Sequence, residues 1–317
     1  MNARYLTTAT VTILFAGLLP ATAADPELLN LVMPDAKVLA GVNVDQAKVT
    51  PFGLYVLSQM QLHDTHLTEV TALTGFDPTR DVHELLVASN GGGAEHTGLA
   101  LARGNFDPAR INAAALSKGA VSETYNGITI IEDPKQQSGF AFLNATIVVA
   151  GDVANVKAAI DRQTKPAPLP AAVIVQVNQW SKAEDAWAVL TVPPSTLHPA
   201  AGMPAIPGLG PTNQNNAFQT IQQAAGGVKF GQDVVVSGQA QALSAQDATQ
   251  IGDTFKLLAS LAQMQGNGDA RLLALAQSLK VNTDGNLLNV SVSLPQDQLV
   301  AMLKPAQKRP AAVRRKM

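Results

Sequence analysis

Two histidines and an aspartate lie close together in the segment His63-Asp64-Thr65-His66, and these residue types bind metals and move protons. Two imidazoles and a carboxylate could hold a divalent metal ion if all three converged on one point. The segment falls between two predicted helices, however, and the sequence places no further ligand near it. We therefore favour a solvated loop over a metal site.

Motifs for the common covalent and phosphate chemistries are missing from the sequence. There is no Walker-type glycine loop, no Gly-x-Ser-x-Gly elbow and no His-Glu-x-x-His pair. The absence of cysteine excludes thiol catalysis, disulfide scaffolds, zinc fingers and iron–sulfur clusters. The sequence thus assigns no catalytic residue, no cofactor and no metal, and it favours a protein that is not an enzyme.

The first 24 residues have the pattern of a secretory signal peptide. Arg4 supplies a positive charge, residues 5–19 are mostly apolar and uncharged, and a small-x-small sequence follows at 21–23. The apolar run is shorter than the ~20 residues that a membrane-spanning helix needs. We expect cleavage near Ala23 or Ala24 and a mature chain without a transmembrane span, located in the periplasm or secreted.

Charge is unevenly distributed along the chain. The net charge is −2, but the last fourteen residues hold six of the 22 basic residues and no acid, so the preceding body is acidic. An acidic body argues against a nucleic-acid partner. We expect the tail at 304–317 to be disordered and solvated. The alternative is a tether to anionic phospholipid or cell-wall polymer, where each basic residue contributes about 1 kcal/mol. The tether residues would be Lys304, Lys308, Arg309, Arg314, Arg315 and Lys316.

The predicted elements occur twice in the same order, in residues 25–163 and again in 171–303. The order is short helix, strand, helix, hairpin, helix, hairpin, helix, and the proline-rich segment 164–170 links the two units. In the second unit this order requires a helix at about 216–225. The sequence therefore predicts an α+β fold with two similar repeats of antiparallel sheet and helices packed on one face. Whether the repeats share one sheet stays open.

A segment rich in proline and glycine, residues 193–215, interrupts the second repeat. A structureless segment of this length is either functional or disordered, and we favour disorder. The alternative is contact with a partner or a ligand. Its residues would be Leu197, Met203, Ile206 and Leu209.

Three short stretches resemble a group of secreted bacterial proteins of unknown function, common in soil bacteria such as acidobacteria. They are DAKVLAGVNV at 35–44, GFDPTRDV at 75–82 and YNGITI at 125–130. The resemblance covers residues 25–163 and extends to the second half only in layout. It implies export and a repeated α+β fold, and it carries no catalytic residues.

Three functions follow as hypotheses of different classes. The first is an exported, non-enzymatic module that binds or scaffolds an envelope protein, polymer or lipid. The second is a periplasmic carrier of an apolar ligand, supported by the apolar residues of the 193–215 insertion. The third is a hydrolase whose site matches no motif, in which His63 or His66 would meet carboxylates in a cleft.

Overall fold

The structure, a computed structural model, describes residues 23–63, 71–91, 98–196, 216–265 and 270–303. Three of its helices begin at an Asp-Pro pair, where Asp25, Asp77 or Asp107 accepts a hydrogen bond from a backbone N–H of the first turn. The α-helices with described bounds are α1 (Pro26–Leu31), α2 (Val44–Lys48), α3 (Pro51–His63), α4 (Pro78–Asp81), α5 (Pro108–Ser117), α6 (Val153–Arg162), α7 (Ala171–Ala183), α8 (Ala245–Gln265), α9 (Ala270–Ser278) and α10 (Gln296–Leu303).

The described strands pair only in antiparallel fashion and form one sheet. The predicted hairpin at Asn126-Gly127 is confirmed, since both residues have positive φ between two paired strands. The strands are β1 (Val38–Asn43), β2 (Val82–Ser89), β3 (Gly98–Gly104), β4 (Val121–Tyr125), β5 (Ile128–Asp133), β6 (Ser138–Phe142), β7 (Ile147–Asp152), β8 (Ala186–Leu190), β9 (Ile221–Lys229), β10 (Asp233–Ala242), β11 (Lys280–Asp284) and β12 (Leu287–Pro295).

The strand order shows the repeat directly. Across the sheet it is β11-β12-β10-β9-β8-β1-β2-β3-β7-β6-β5-β4. Outward from the centre, β1-β2-β3-β7-β6 on one side matches β8-β9-β10-β12-β11 on the other, and the first half adds the hairpin β4–β5. The α+β fold is confirmed, and the question left open by the sequence has an answer: among the described strands the two halves share one continuous sheet.

The two halves meet at the antiparallel pair β1–β8, which we call the seam. Gly41 in β1 lies directly opposite Trp187 in β8. A Cβ atom at position 41 would lie 2.6 Å from the indole ring of Trp187, so only glycine leaves room for that ring. Trp187 is itself buried. The seam therefore depends on one glycine–tryptophan pair.

The larger core lies on one face of the sheet. We define face A as the face that carries Leu39, Leu86 and Val149, and face B as the opposite one. Helices α1, α6 and α7 pack on face A, where their buried side chains, such as Val156 and Val177, join a single apolar cluster. Burial of apolar area on this scale is the main stabilising contribution in a chain without cysteine.

A second, smaller core lies on face B of the second half. Ala248 and Ile251 of α8 pack against Leu288 of β12 and Ala242 of β10. Because Leu288 alternates with Asn289 along β12, it points to the face opposite Asn289. In the second half, helix α7 therefore lies on face A, and helix α8 covers face B.

The helix predicted at 216–225 is wrong. A short 3-10 helix covers Asn216–Thr220, and Ile221 begins the nine-residue strand β9. This strand pairs on both sides, with β8 and with β10. Its Gln and Ala residues favour helix weakly, but pairing within the sheet outweighs that preference. By contrast, the helix favoured for 173–180 is confirmed as part of α7.

The proline-rich segment 164–170 joins α6 to α7 and contains neither helix nor strand. It is more than a spacer, because Leu169 is buried in the apolar cluster on face A. The polypeptide on either side is also tied to α1: the Nε of Arg162 donates a hydrogen bond to the carbonyl oxygen of Leu31 at 2.9 Å. The link between the repeats is therefore packed against the fold.

Candidate functional site

One row of residues across face A changes from apolar to polar. Directly opposite residues in antiparallel strands share a face, so the strand registers define the row. From β7 to β11 it consists of Val149, Leu101, Leu86, Gly41, Trp187, Gly227, Ser237, Ser291 and Lys280. The neighbouring row is also polar in the second half, where it contains Gln239, Asn289 and Asn282. Hence β10, β12 and β11 present polar side chains on face A, and in these two rows all of them are neutral except Lys280.

The helices account for this change. In the first half α6 follows β7 and covers face A with apolar side chains. Its counterpart in the second half, α10, follows β12 and contacts α3, β12 and β10, but none of its described side chains joins the apolar cluster on face A. The polar residues of β10 and β12 thus occupy the part of face A that a helix covers in the first half.

A groove of about 270 Å³ lies over these polar strands. We call it the polar groove. Its volume is close to the lower end of the range of small-molecule sites, about 300–1,000 Å³. Beside it, the Gln239 Nε2 atom donates a hydrogen bond to Asn289 Oδ1 at 2.9 Å. The groove is lined by Trp180, Ser237, Gly238, Lys280, Val281, Asn282, Asn289, Val290 and Ser291.

Two buried polar atoms beside the groove have no hydrogen-bond partner. They are Trp180 Nε1, a donor, and Glu184 Oε2, an acceptor, in residues that are only 7% and 8% exposed. The two residues lie one helical turn apart at the end of α7. A buried polar group without a partner costs about 1–3 kcal/mol. This edge of the groove therefore holds a donor and an acceptor whose hydrogen bonds the protein itself does not satisfy.

Burial raises the pKa of the Glu184 carboxyl above its ordinary value. A hydrogen bond from Ser237 and the charge of Lys229 act in the opposite direction, while the charge of Asp185 adds to the rise. Asp185 is held in place by the Lys229 ammonium at 2.6 Å and by the backbone N–H of Phe230 at 2.7 Å. Glu184 is thus an acidic residue beside the groove with a raised pKa. Its hydrogen bond with Ser237 connects it to the groove lining.

Replacing Glu184 by glutamine is expected to change how stability depends on pH. In the unfolded chain a glutamate ionises near pH 4.3, whereas folded Glu184 holds its proton to a higher pH. The folded state therefore loses stability as the pH rises from about 4.3 through the raised pKa. Urea unfolding of both proteins should show E184Q gaining stability relative to the parent across this window and then levelling off. A difference that does not vary with pH would contradict the assignment.

The histidine sites considered from the sequence yield no free catalytic base in the described part of the chain. His63 ends α3, but its side chain and residues 64–70 lie outside the described residues. His83 is described: its Nδ1 lies 2.9 Å from Asp45 Oδ2, and its Nε2 lies 3.1 Å from the Asn105 amide nitrogen. Both ring nitrogens of His83 are therefore engaged. Within the described ranges, no group of three or more acidic or histidine residues is placed to hold a metal ion.

The other site residues predicted from the sequence fall outside the described residues. These are the tether residues Lys304, Lys308, Arg309, Arg314, Arg315 and Lys316, and the loop residues Leu197, Met203, Ile206 and Leu209. The tether and the partner loop therefore stay predictions.

A separate apolar surface lies on the second half of α8. Phe255 still packs against the smaller core, but the following turns expose large apolar side chains. These are Leu257, Leu258, Leu261 and Met264, of which Met264 is 76% exposed. None of them lines the polar groove. None of the described helices combines the length and the apolar character needed to cross a membrane.

The polar groove was not predicted from the sequence. Polar residues at every second position in β10, β12 and β11 are what any solvated sheet face shows, so the alternation alone does not mark a site. One signal was present: six of these residues, Ser237, Gln239, Asn289, Ser291, Asn282 and Gln241, are neutral amides or hydroxyls rather than charged groups. This signal can be recognised only when the strand order is known. Strands β10 and β12 are neighbours in the sheet, although the longest helix in the described part of the chain lies between them in sequence.

No family of known proteins matches this sequence, and no curated protein does. Solved structures of TP0453, a Treponema protein, share the fold. Crystal form III is 10% identical, with a TM-score of 0.54 over 86% of this chain and 96% of that chain. Crystal form IV is 12% identical, with a TM-score of 0.54 over 90% and 98%. Crystal form I is 10% identical, with a TM-score of 0.50 over 88% and 96%. At such low identity the likeness extends to the fold alone: this chain has an α+β architecture similar to that of TP0453.

Proposed function

We propose that the protein is an exported, non-enzymatic binding module of the cell envelope and that the polar groove holds its ligand. The observation that carries the proposal is the unpartnered indole N–H of Trp180 in a residue that lines the groove. A ligand oxygen that accepts from this group would satisfy a buried donor. The signal-peptide pattern of the first 24 residues supports export.

The lining favours the hydroxyl and acetamido groups of a glycan as the part of the ligand that it contacts. Ser and Asn side chains offer both donors and acceptors, as sugar hydroxyls and acetamido groups do. Trp180, which is largely buried, adds a small apolar contact at the edge of the groove. Lys280 is the cation of the lining, and the acidic body of the chain disfavours polyanions. An extended envelope glycan fits this chemistry.

The two alternatives have less support from the described residues. A carrier of an apolar molecule needs an enclosed apolar cavity, whereas this groove is small and open, and serine and asparagine side chains stand among its lining residues. The exposed leucines of α8 lie on a helix surface outside it. The hydrolase hypothesis depends on His63 or His66, whose side chains lie outside the described residues. It gains no support from His83, which is held by Asp45 and Asn105.

Co-sedimentation with insoluble peptidoglycan, freed of protein and anionic polymer, tests the proposal. Two proteins are compared, the mature chain and a chain that ends at Leu303 and so lacks the basic tail. We expect saturable binding of both, competed by soluble glycan fragments. Binding that disappears with the tail would assign the interaction to charge on residues 304–317. Binding to anionic phospholipid vesicles in place of glycan would overturn the glycan assignment.

A further inference from the structure

Ala24 and Asp25, the two residues that follow Ala23 at the predicted cleavage site, are built into the fold. Ala24 is 3% exposed and belongs to the apolar cluster on face A. Its backbone N–H donates a hydrogen bond to Ser181 Oγ in α7 at 3.0 Å, in a buried position. The next backbone N–H, that of Asp25, donates to Glu84 Oε1 in β2, also at 3.0 Å. Cleavage after Ala24 would remove a core residue and leave the Ser181 hydroxyl without this donor.

Negative charge exceeds positive charge around this site. Asp25, Glu27 and Glu84 supply three carboxylates, and Arg103 supplies one guanidinium, which contacts Asp25 and pairs with Glu27 at 2.6 Å. Burial raises the pKa of Glu84, the neighbouring charge of Asp25 adds to the rise, and Arg103 acts against it. A second cation placed here would stabilise the cluster.

We propose that a signal peptidase cuts between Ala23 and Ala24, and that the new α-ammonium of Ala24 becomes a structural part of the fold, hydrogen-bonded to Ser181 and one residue before the N–H that bonds Glu84. The sequence allowed a cut after either alanine, and the burial of Ala24 selects the earlier one. Ala21 and Ala23 then occupy the two small-residue positions before the cut.

The step is a simple hydrolysis. One water molecule adds across the Ala23–Ala24 amide, Ala23 leaves with a carboxylate, and Ala24 keeps the nitrogen as an amine. An α-amino group has an ordinary pKa of about 7.7–8.0, so it is mostly protonated at neutral pH. The single N–H of the precursor thereby becomes an ammonium with three donors, close to Ser181 Oγ and the Glu84 carboxylate.

The position of the cut is tested by exporting residues 1–317 from a bacterium and measuring the intact mass and N-terminal sequence of the exported protein. We expect a chain that begins at Ala24. A chain that begins at Asp25, or one that retains residues before Ala24, would overturn the assignment.

The structural role of the ammonium is tested by thermal unfolding. A chain beginning at Ala24 is compared with one that carries Gly-Ser before Ala24, which converts the ammonium back into an amide. We expect the extended chain to unfold about 2–4 °C lower, the size expected for one charge-assisted hydrogen bond in a chain of this length. In Ser181→Ala versions of both chains the difference should shrink. Equal unfolding temperatures for the two parent chains would overturn the structural role.

Discussion

Replacing Ser291 by tryptophan is expected to reduce glycan binding at least about tenfold, a loss of about 1.4 kcal/mol or more. Ser291 lies on β12 in the middle of the polar groove, between Ser237 on β10 and Lys280 on β11. An indole at this position would occupy much of a groove of about 270 Å³. Ser291 is half-buried and belongs to neither apolar cluster, so the fold should persist.

Ser293→Trp is the matched control for this variant. Ser293 lies two residues further along the same strand, on the same face, and does not line the groove. Both variants gain the same side chain, so a general effect of an added indole would appear in both. We expect peptidoglycan co-sedimentation to fail only for Ser291→Trp. Equal binding by the two variants would argue that the ligand lies elsewhere.

Replacing Gly41 by alanine is expected to destabilise the protein by about 1–3 kcal/mol, the range for overpacking a well-packed core. The added Cβ would lie 2.6 Å from two carbon atoms of the Trp187 ring. Trp187 is buried at the seam, so its ring has little space to shift away. Because β1–β8 is the strand pair that joins the two halves, the loss should appear in urea unfolding of the whole chain.

Gly238→Ala separates this steric effect from the general effect of replacing a glycine in a strand. Gly238 lies in β10, and a Cβ there would meet nothing closer than the Ala225 carbonyl oxygen at 4.0 Å. We expect a change within about 0.5 kcal/mol for this variant. If both variants lose the same free energy of unfolding, the Gly41–Trp187 contact does not hold the seam.

Local signals predicted most of the elements correctly. The Asn126-Gly127 turn and the helix start at Asp107-Pro108 depend on neighbouring residues, and a sequence shows these directly. The failure at 216–225 has the opposite cause. Strand β9 exists because β8 and β10 pair with it on either side, and both partners are distant in sequence.

The candidate site could not be predicted from the sequence for the same reason, because its residues are distant from one another in sequence. Trp180 comes from a helix, Ser237 and Ser291 from two strands, and their meeting depends on the order β11-β12-β10. Trp180 Nε1 lacks a hydrogen-bond partner because of how the residues around it pack. The spacing of residues in the sequence does not reveal this packing. The resemblance to secreted soil-bacterial proteins and the periplasmic or secreted location stay predictions.

Nuclear magnetic resonance of the indole N–H groups tests the central claim most directly. The chain contains two tryptophans, Trp180 and Trp187, so a protein labelled with ¹⁵N in tryptophan gives two indole signals. Only Trp180 lines the groove, while Trp187 lies at the seam. On titration with soluble peptidoglycan fragments, we predict that the Trp180 signal shifts in a saturable way and that the Trp187 signal stays in place. A Trp180 signal that does not move at glycan concentrations where co-sedimentation shows binding would contradict the account.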